Sequence, residues 1–302
     1  MAGTKKFPVL CAFAFFCFAA IYFGAGYLEA QAPRNPQDLL KDAFGRMEDS
    51  FNQLDNQLDN GQEATSIDAY YLGRAVAANI LSSYKPYAAN PELTRYLNQI
   101  CQTIVINSAY PDLFNGYHVM ILDTPEFNAL ATPGGHIFIT RGLVESATSE
   151  DMLAAIIAHE LAHIMLKHSL SIIEDVRLHE EMSSMADLAT AFAGNTAAAA
   201  RFAYFRNSVA ATVDALVKNG YSQEQEFEAD SGAVVLLAAS GYSPRALTEV
   251  LRILHSVQNT QKGGFNATHP SPAQRLENAE KFTRQYRVED TRPSRAPRFR
   301  NK

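Results

Sequence analysis

Two histidines four residues apart with a glutamate after the first, His159-Glu160-Leu161-Ala162-His163, are the residues of this chain best suited to chemistry. On a helix, positions i and i+4 lie one turn apart on one face, so both imidazoles can bind one cation. Glu160 points about 100° away, close to such a cation but free to work on a water bound there. The surrounding run from Met152 to Ile164 is otherwise apolar. A helix of that composition belongs in a core, where imidazoles and carboxylates need partners. A bound metal is therefore expected rather than two solvated histidines.

A catalytic zinc takes three protein ligands and leaves one position for water. The residues after His163 (Ile164-Met165-Leu166-Lys167-His168) lack the closely spaced third histidine of the metzincin pattern. Lys167 and His168 read as cations favoured at a helix C-terminus, with no catalytic role. The other common solution is a glutamate on a downstream helix. Ser222-Gln223-Glu224-Gln225-Glu226-Phe227-Glu228-Ala229-Asp230 offers three, on a helix capped by Ser222 with Gln225 at its third position. Glu226 and Asp230 share one face, so Glu226 can bind metal while Asp230 orients a ligand imidazole. Glu224 and Glu228 share another face with no such helper and read as solvated charges. Glu226 is the expected third ligand.

The elements that must position these groups are legible around them. Thr148 is the expected N-cap of the metal helix, with Asp151 completing a capping box and Glu150 and Asp151 suiting its positive end. Ser66 or Asp68 can cap a helix through Ser82, and Pro91 after Asn90 opens another through Val105. Tyr117 to Leu122 alternates as a strand does. Phe127–Thr132, then Pro133-Gly134-Gly135, then His136–Thr140 reads as a β-hairpin. A strand beside a metal site can hold an extended peptide by strand addition, which makes Ala129, Leu130 and Ala131 the expected substrate-facing residues. Helices follow from Ser222 to Ala239, from Ser243-Pro244 to Val257, and from Ser271-Pro272 through Arg275. The fold class is mainly α with a small β-sheet (α+β).

Taken together, the HExxH motif, Glu226-Phe227-Glu228-Ala229-Asp230, Ala131-Thr132-Pro133-Gly134-Gly135 and Thr268-His269-Pro270 resemble the zinc metallopeptidase family of the CAAX prenyl protease, HtpX, Oma1 and BepA. The resemblance covers roughly residues 66–285. It implies a gluzincin-like zincin domain and an endopeptidase with one Zn(2+) per chain, bound by His159, His163 and Glu226. Glu160 is then the catalytic base. The family pattern also puts His269 near the cleft, contacting the transition state or capping the open zinc position at rest. His269 and Asn128 compete as further donors. The several spanning helices and the helical-repeat domain found among those members are not expected here. Quality control of misfolded or envelope proteins therefore suits the chain better than prenylated substrates. A chaperone-like binder of unfolded chains is the alternative.

The frame agrees with one such domain. The chain has 302 residues, 47% hydrophobic and 19% charged, and a net charge of -6 that argues against nucleic acid as a partner. In residues 1–32, Lys5 and Lys6 precede an uncharged apolar run from Phe7 to Phe23 and an A-x-A site at Ala30-Gln31-Ala32. That is an export signal, periplasmic in a bacterial envelope. Pro33 hinders cleavage there, which leaves an uncleaved membrane anchor open as the other outcome. After removal only Cys101 remains, so no internal disulfide forms. Residues 33–65 read as a polar arm, 183–218 as an Ala-rich helical insertion able to act as a lid, and 286–302 as a basic, disordered tail.

Overall fold

A computed structural model describes residues 66–172, 213, 216, 220–257, 268–269, 272–286 and 292–300, all within the compact unit Met47–Lys302. The export segment, the polar arm and nearly all of the 183–218 insertion lie outside the described residues. Among the described residues no helix is long and apolar enough to cross a membrane.

Helix α1 (Ser66–Ser83) precedes α2 (Pro91–Val105), whose start follows from its sequence. Asn90 Oδ1 accepts the Leu93 N–H at 3.1 Å, and Pro91 has no N–H to strand there. Leu93, Leu97, Ile100, Cys101 and Ile104 then fall on one buried face. Strands β1 (His118–Leu122), β2 (Ala129–Thr132) and β3 (His136–Thr140) form a mixed sheet in the order β1-β3-β2. The hairpin pairs β2 antiparallel to β3, Ala129 opposite Ile139, while β1 runs parallel to β3. At its turn Gly134 has φ of 74°, and a Cβ there would lie 2.2 Å from the Tyr70 Cα, so only glycine lets α1 pack on the turn.

After α3 (Arg141–Ser146) comes α4 (Glu150–Met165), buried at every position from Glu150 to Ile164. It lies between α2 and the sheet on one side and α5 (Gln223–Ala239) and α6 (Arg245–Val257) on the other. Helix α5 begins with the capping box read from its sequence: Ser222 Oγ accepts from Gln225 N–H at 3.3 Å and Gln225 Oε1 from Ser222 N–H at 3.0 Å. A Cβ on Gly232 would sit 3.0 Å from the Ala162 Cβ, so glycine lets α5 run close along α4. Helices α7 (Pro272–Thr283) and α8 (Arg292–Arg300) complete the described fold, mostly helical with a small sheet.

Two expectations need correction. The N-cap of α4 is Ser149, one residue later than read, because Ser149 is the extended residue whose hydroxyl accepts from Met152 N–H; the Thr148 hydroxyl points to the Met152 sulfur instead. Nor does Asp151 close a capping box. Its carboxylate accepts from Ser243 N–H at 2.8 Å and from Arg295. Residues 292–300 are helical where disorder was expected of the tail, for a physical reason. Glu150 and Asp151 are buried acids that need cations, and Arg298 and Arg295, one turn apart, supply them. Tyr96 and Tyr242 also donate to Glu150, and burial pushes this carboxyl up less than Arg298 and the two phenols pull it down. Arg295→Ala strands Asp151 in the core and should cost about 3–5 kcal/mol, read as a lowered midpoint in urea unfolding.

Candidate metal centre

Helix α4 sends His159 and His163 from one face toward the first turn of α5, where Glu226 meets them. The His159 and His163 Nε2 atoms are 3.1 Å apart. Glu226 places Oε2 3.5 Å from His159 Nε2 and Oε1 3.4 Å from His163 Nε2. His269 closes the group, its Nδ1 2.7 Å from Glu226 Oε1 and 3.3 Å from His159 Nε2. All four residues are buried, with one donor atom from each within 4.8 Å of the others.

Those separations suit a small cation. Four donors around a tetrahedral ion with bonds of about 2.1 Å stand roughly 3.4 Å apart. Nitrogen and carboxylate oxygen are zinc's usual donors. Glu160 gives a second indication: it is fully buried, neither carboxylate oxygen has a hydrogen-bond partner, and His269 Nε2 lies 3.6 Å from one of them. A carboxylate is not left so without a use. Glu226 and Asp230 are buried against the Arg275 guanidinium with Glu160 a third buried carboxylate nearby, a set of groups that favours added positive charge. The residues present fit a metal.

Electrostatics divide the two imidazoles. Burial and the Arg275 charge oppose a proton on His159, but hydrogen bonds to Asp230 and Glu226 outweigh them and raise its pKa to about 9; this corner of the site is built for positive charge. His163 is held well below its ordinary value by burial, against the pull of Glu226. Burial raises the Glu160 carboxyl. Glu226 goes the other way despite its burial, because the Arg275 and His269 charges hold it ionised.

Asp230 lies where its spacing placed it, one turn beyond Glu226, with Oδ1 3.1 Å from His159 Nδ1. Arg275 grips it through Nε (2.9 Å) and a terminal nitrogen (2.7 Å), and a second terminal nitrogen is 2.6 Å from Glu226 Oε2. Sequence reasoning passed over this arginine, although it shares the buried face of α7 with Ala279 one turn on. Asn128 is turned to another task, its Oδ1 accepting the Thr268 hydroxyl at 2.9 Å. Ala129, Leu130 and Ala131 lie on β2, the strand that ends the sheet on this side. The Ala129 carbonyl accepts from His269 Nε2 at 3.1 Å, and the Ala131 carbonyl from Ser169 Oγ at 3.2 Å. Tyr221, also unforeseen, stacks on His163 with ring centres 3.7 Å apart.

His168 and Glu228 differ from their sequence reading as well. Helix α4 ends at Met165, and Lys167 takes a left-handed φ of 60°, which turns His168 back beneath His163. Its Nδ1 lies 3.0 Å from His163 Nδ1, and its Nε2 lies 3.1 Å from Glu228 Oε2.

Residues 91–283 match the family model of Peptidase family M48, and the chain belongs to that family. It is 25% identical over 248 residues to the beta-barrel assembly-enhancing protease of Escherichia coli O157:H7, covering 82% of this chain and 49% of that protein. With the mitochondrial metalloendopeptidase OMA1 of Schizosaccharomyces pombe it shares 27% identity over 206 residues, 67% of this chain and 55% of the relative. OMA1 of Arabidopsis thaliana matches at 25% over 160 residues, 53% and 30% of the two chains. The chain thus spans about half the length of the first two relatives. Free zinc at 1,000-fold above Kd should raise its unfolding free energy by about 4 kcal/mol, seen as an upward shift in Tm that chelator reverses and His163→Ala abolishes.

Proposed function

We propose that this chain is a zinc-dependent endopeptidase of the gluzincin type, acting on misfolded or envelope proteins. Its ligands are His159, His163 and Glu226, one zinc per chain, and its general base is Glu160. The observation that carries this reading is the meeting of the HExxH pair with Glu226 beside a buried, unpartnered Glu160. Bound there, the metal supplies a polarised water and positive charge for the scissile carbonyl. Glu160 takes the proton of the attacking water and passes it to the leaving amine; the raised pKa of its carboxyl suits both halves of that exchange. Asp230, itself held by Arg275, fixes the His159 ring.

An extended substrate would lie along β2 and take up the carbonyls of Ala129 and Ala131. In this structure those carbonyls accept from His269 and Ser169, and His269 completes the four-donor group. These contacts favour His269 as the resting cap of the metal over a transition-state contact. Export to a bacterial periplasm is part of the same reading and rests on Lys5, Lys6 and the apolar run after them. A catalytic domain of residues 66–285 belongs to the same reading, with membrane association through an uncleaved N-terminus as the alternative to release.

Glu160→Gln should keep zinc yet lose casein hydrolysis by about 10²–10⁴-fold; a fully active variant would refute the mechanism. His269→Ala should hold zinc about tenfold less tightly and cleave casein faster, since one change opens both the metal and the strand. Zinc affinity and rate both unchanged would remove His269 from the site.

A further inference from the structure

The two imidazoles of the HExxH pair are backed by different groups, and only the backing of His159 is accounted for by Asp230. His163 turns Nε2 toward Glu226 and His159, so its other nitrogen, Nδ1, faces away from the metal position. There it meets a second imidazole nitrogen, His168 Nδ1, at 3.0 Å. Two such nitrogens in contact share one proton, and each neutral ring carries one N–H.

Only one arrangement of those protons leaves His163 able to bind metal. If His163 carries its proton on Nδ1, it donates to His168 Nδ1, and its own Nε2 lone pair faces the cluster. His168 must then carry its proton on Nε2, which lies 3.1 Å from Glu228 Oε2 and donates to that carboxylate. In the opposite arrangement His168 donates to His163. The His163 proton would then sit on Nε2, aimed into the cluster, and a bare His168 Nε2 lone pair would face an anionic oxygen. The Glu228 carboxylate selects the first arrangement.

We propose that His168, backed by Glu228, is a positioning residue of the metal site, accepting the Nδ1–H of His163 so that its Nε2 is presented to zinc. The inference rests on His163 being a ligand. The two arms then differ in kind. Asp230 is buried and gripped by Arg275, whereas the His163 arm passes through a neutral ring to Glu228, whose side chain is 55% exposed. Tyr221, stacked on the far ring face, limits rotation of His163 but offers its Nδ1 no acceptor. The turn at Lys167 is what brings a residue five positions on beneath the first.

The test measures the zinc Kd of the full chain by competition with a chromophoric chelator, and separately the Tm of the metal-free protein. His168→Phe keeps the ring volume and removes the acceptor; it should raise Kd about 10–100-fold while the metal-free Tm stays near wild type. His168→Gln, whose amide can accept from His163 and donate to Glu228, should recover most of the loss. Glu228→Ala alters a half-exposed side chain and should raise Kd several-fold by itself. An unchanged Kd in both His168→Phe and Glu228→Ala overturns the proposal, as does a Gln variant no better than Phe. Should His168→Phe fail to fold, Glu228→Ala decides alone. A wild-type chain that binds no zinc removes the proposed function together with this inference; a wild type that binds, with unmoved variants, removes this inference only.

Discussion

The constraint on which the rest of this structure depends is the burial of negative charge around one small volume. Glu226 and Asp230 are buried against His159 and Glu160 against His269, and a carboxylate removed from water must find compensation. Arg275 compensates part of it and ties α7 to α5 in doing so. A cation held among these donors would add to that compensation. The packing serves the same end: Gly232 lets α5 approach α4, and that approach brings a glutamate to histidines more than sixty positions earlier. Membership in a metallopeptidase family and the donor geometry arrive at one conclusion from separate directions.

Much of this was legible in the sequence because the relevant signals are local. The His159–His163 spacing, the Ser222–Gln225 capping box and the Pro133-Gly134-Gly135 turn are each determined within a few residues, and each element stands where its pattern put it. Glu226 could be singled out because Asp230 lay one turn away on the same face. Partnerships formed across the fold left no such trace. Arg275 looks like any helix cation until Asp230 is beside it. His168 looks like a helix-end charge because nothing local announces the left-handed turn at Lys167. The α4 cap was misread by one residue since Thr148 and Ser149 are equally capable caps, and the choice falls to the backbone of the preceding loop.

The tail was the largest departure, and for an instructive reason. Arg- and Pro-rich composition predicts disorder when a segment has no apolar face to bury. Residues 292–300 are organised by charge instead, through Arg295 on Asp151 and Arg298 on Glu150, with the Arg295 guanidinium also lying over the Tyr242 ring at 4.8 Å. Composition counts arginines but does not know that two buried acids are waiting for them.

That clasp has a consequence for how the parts of the fold depend on one another. Asp151 and Arg295 are 144 positions apart, and Glu150 and Arg298 are 148 apart. Until Arg295 and Arg298 are in place, the buried acids in the first turn of the HExxH helix lack the cations that offset their burial. Contacts of such long sequence separation form late in folding. The arginines of 292–300 therefore couple the seating of the HExxH helix to a segment more than 140 positions further along the chain.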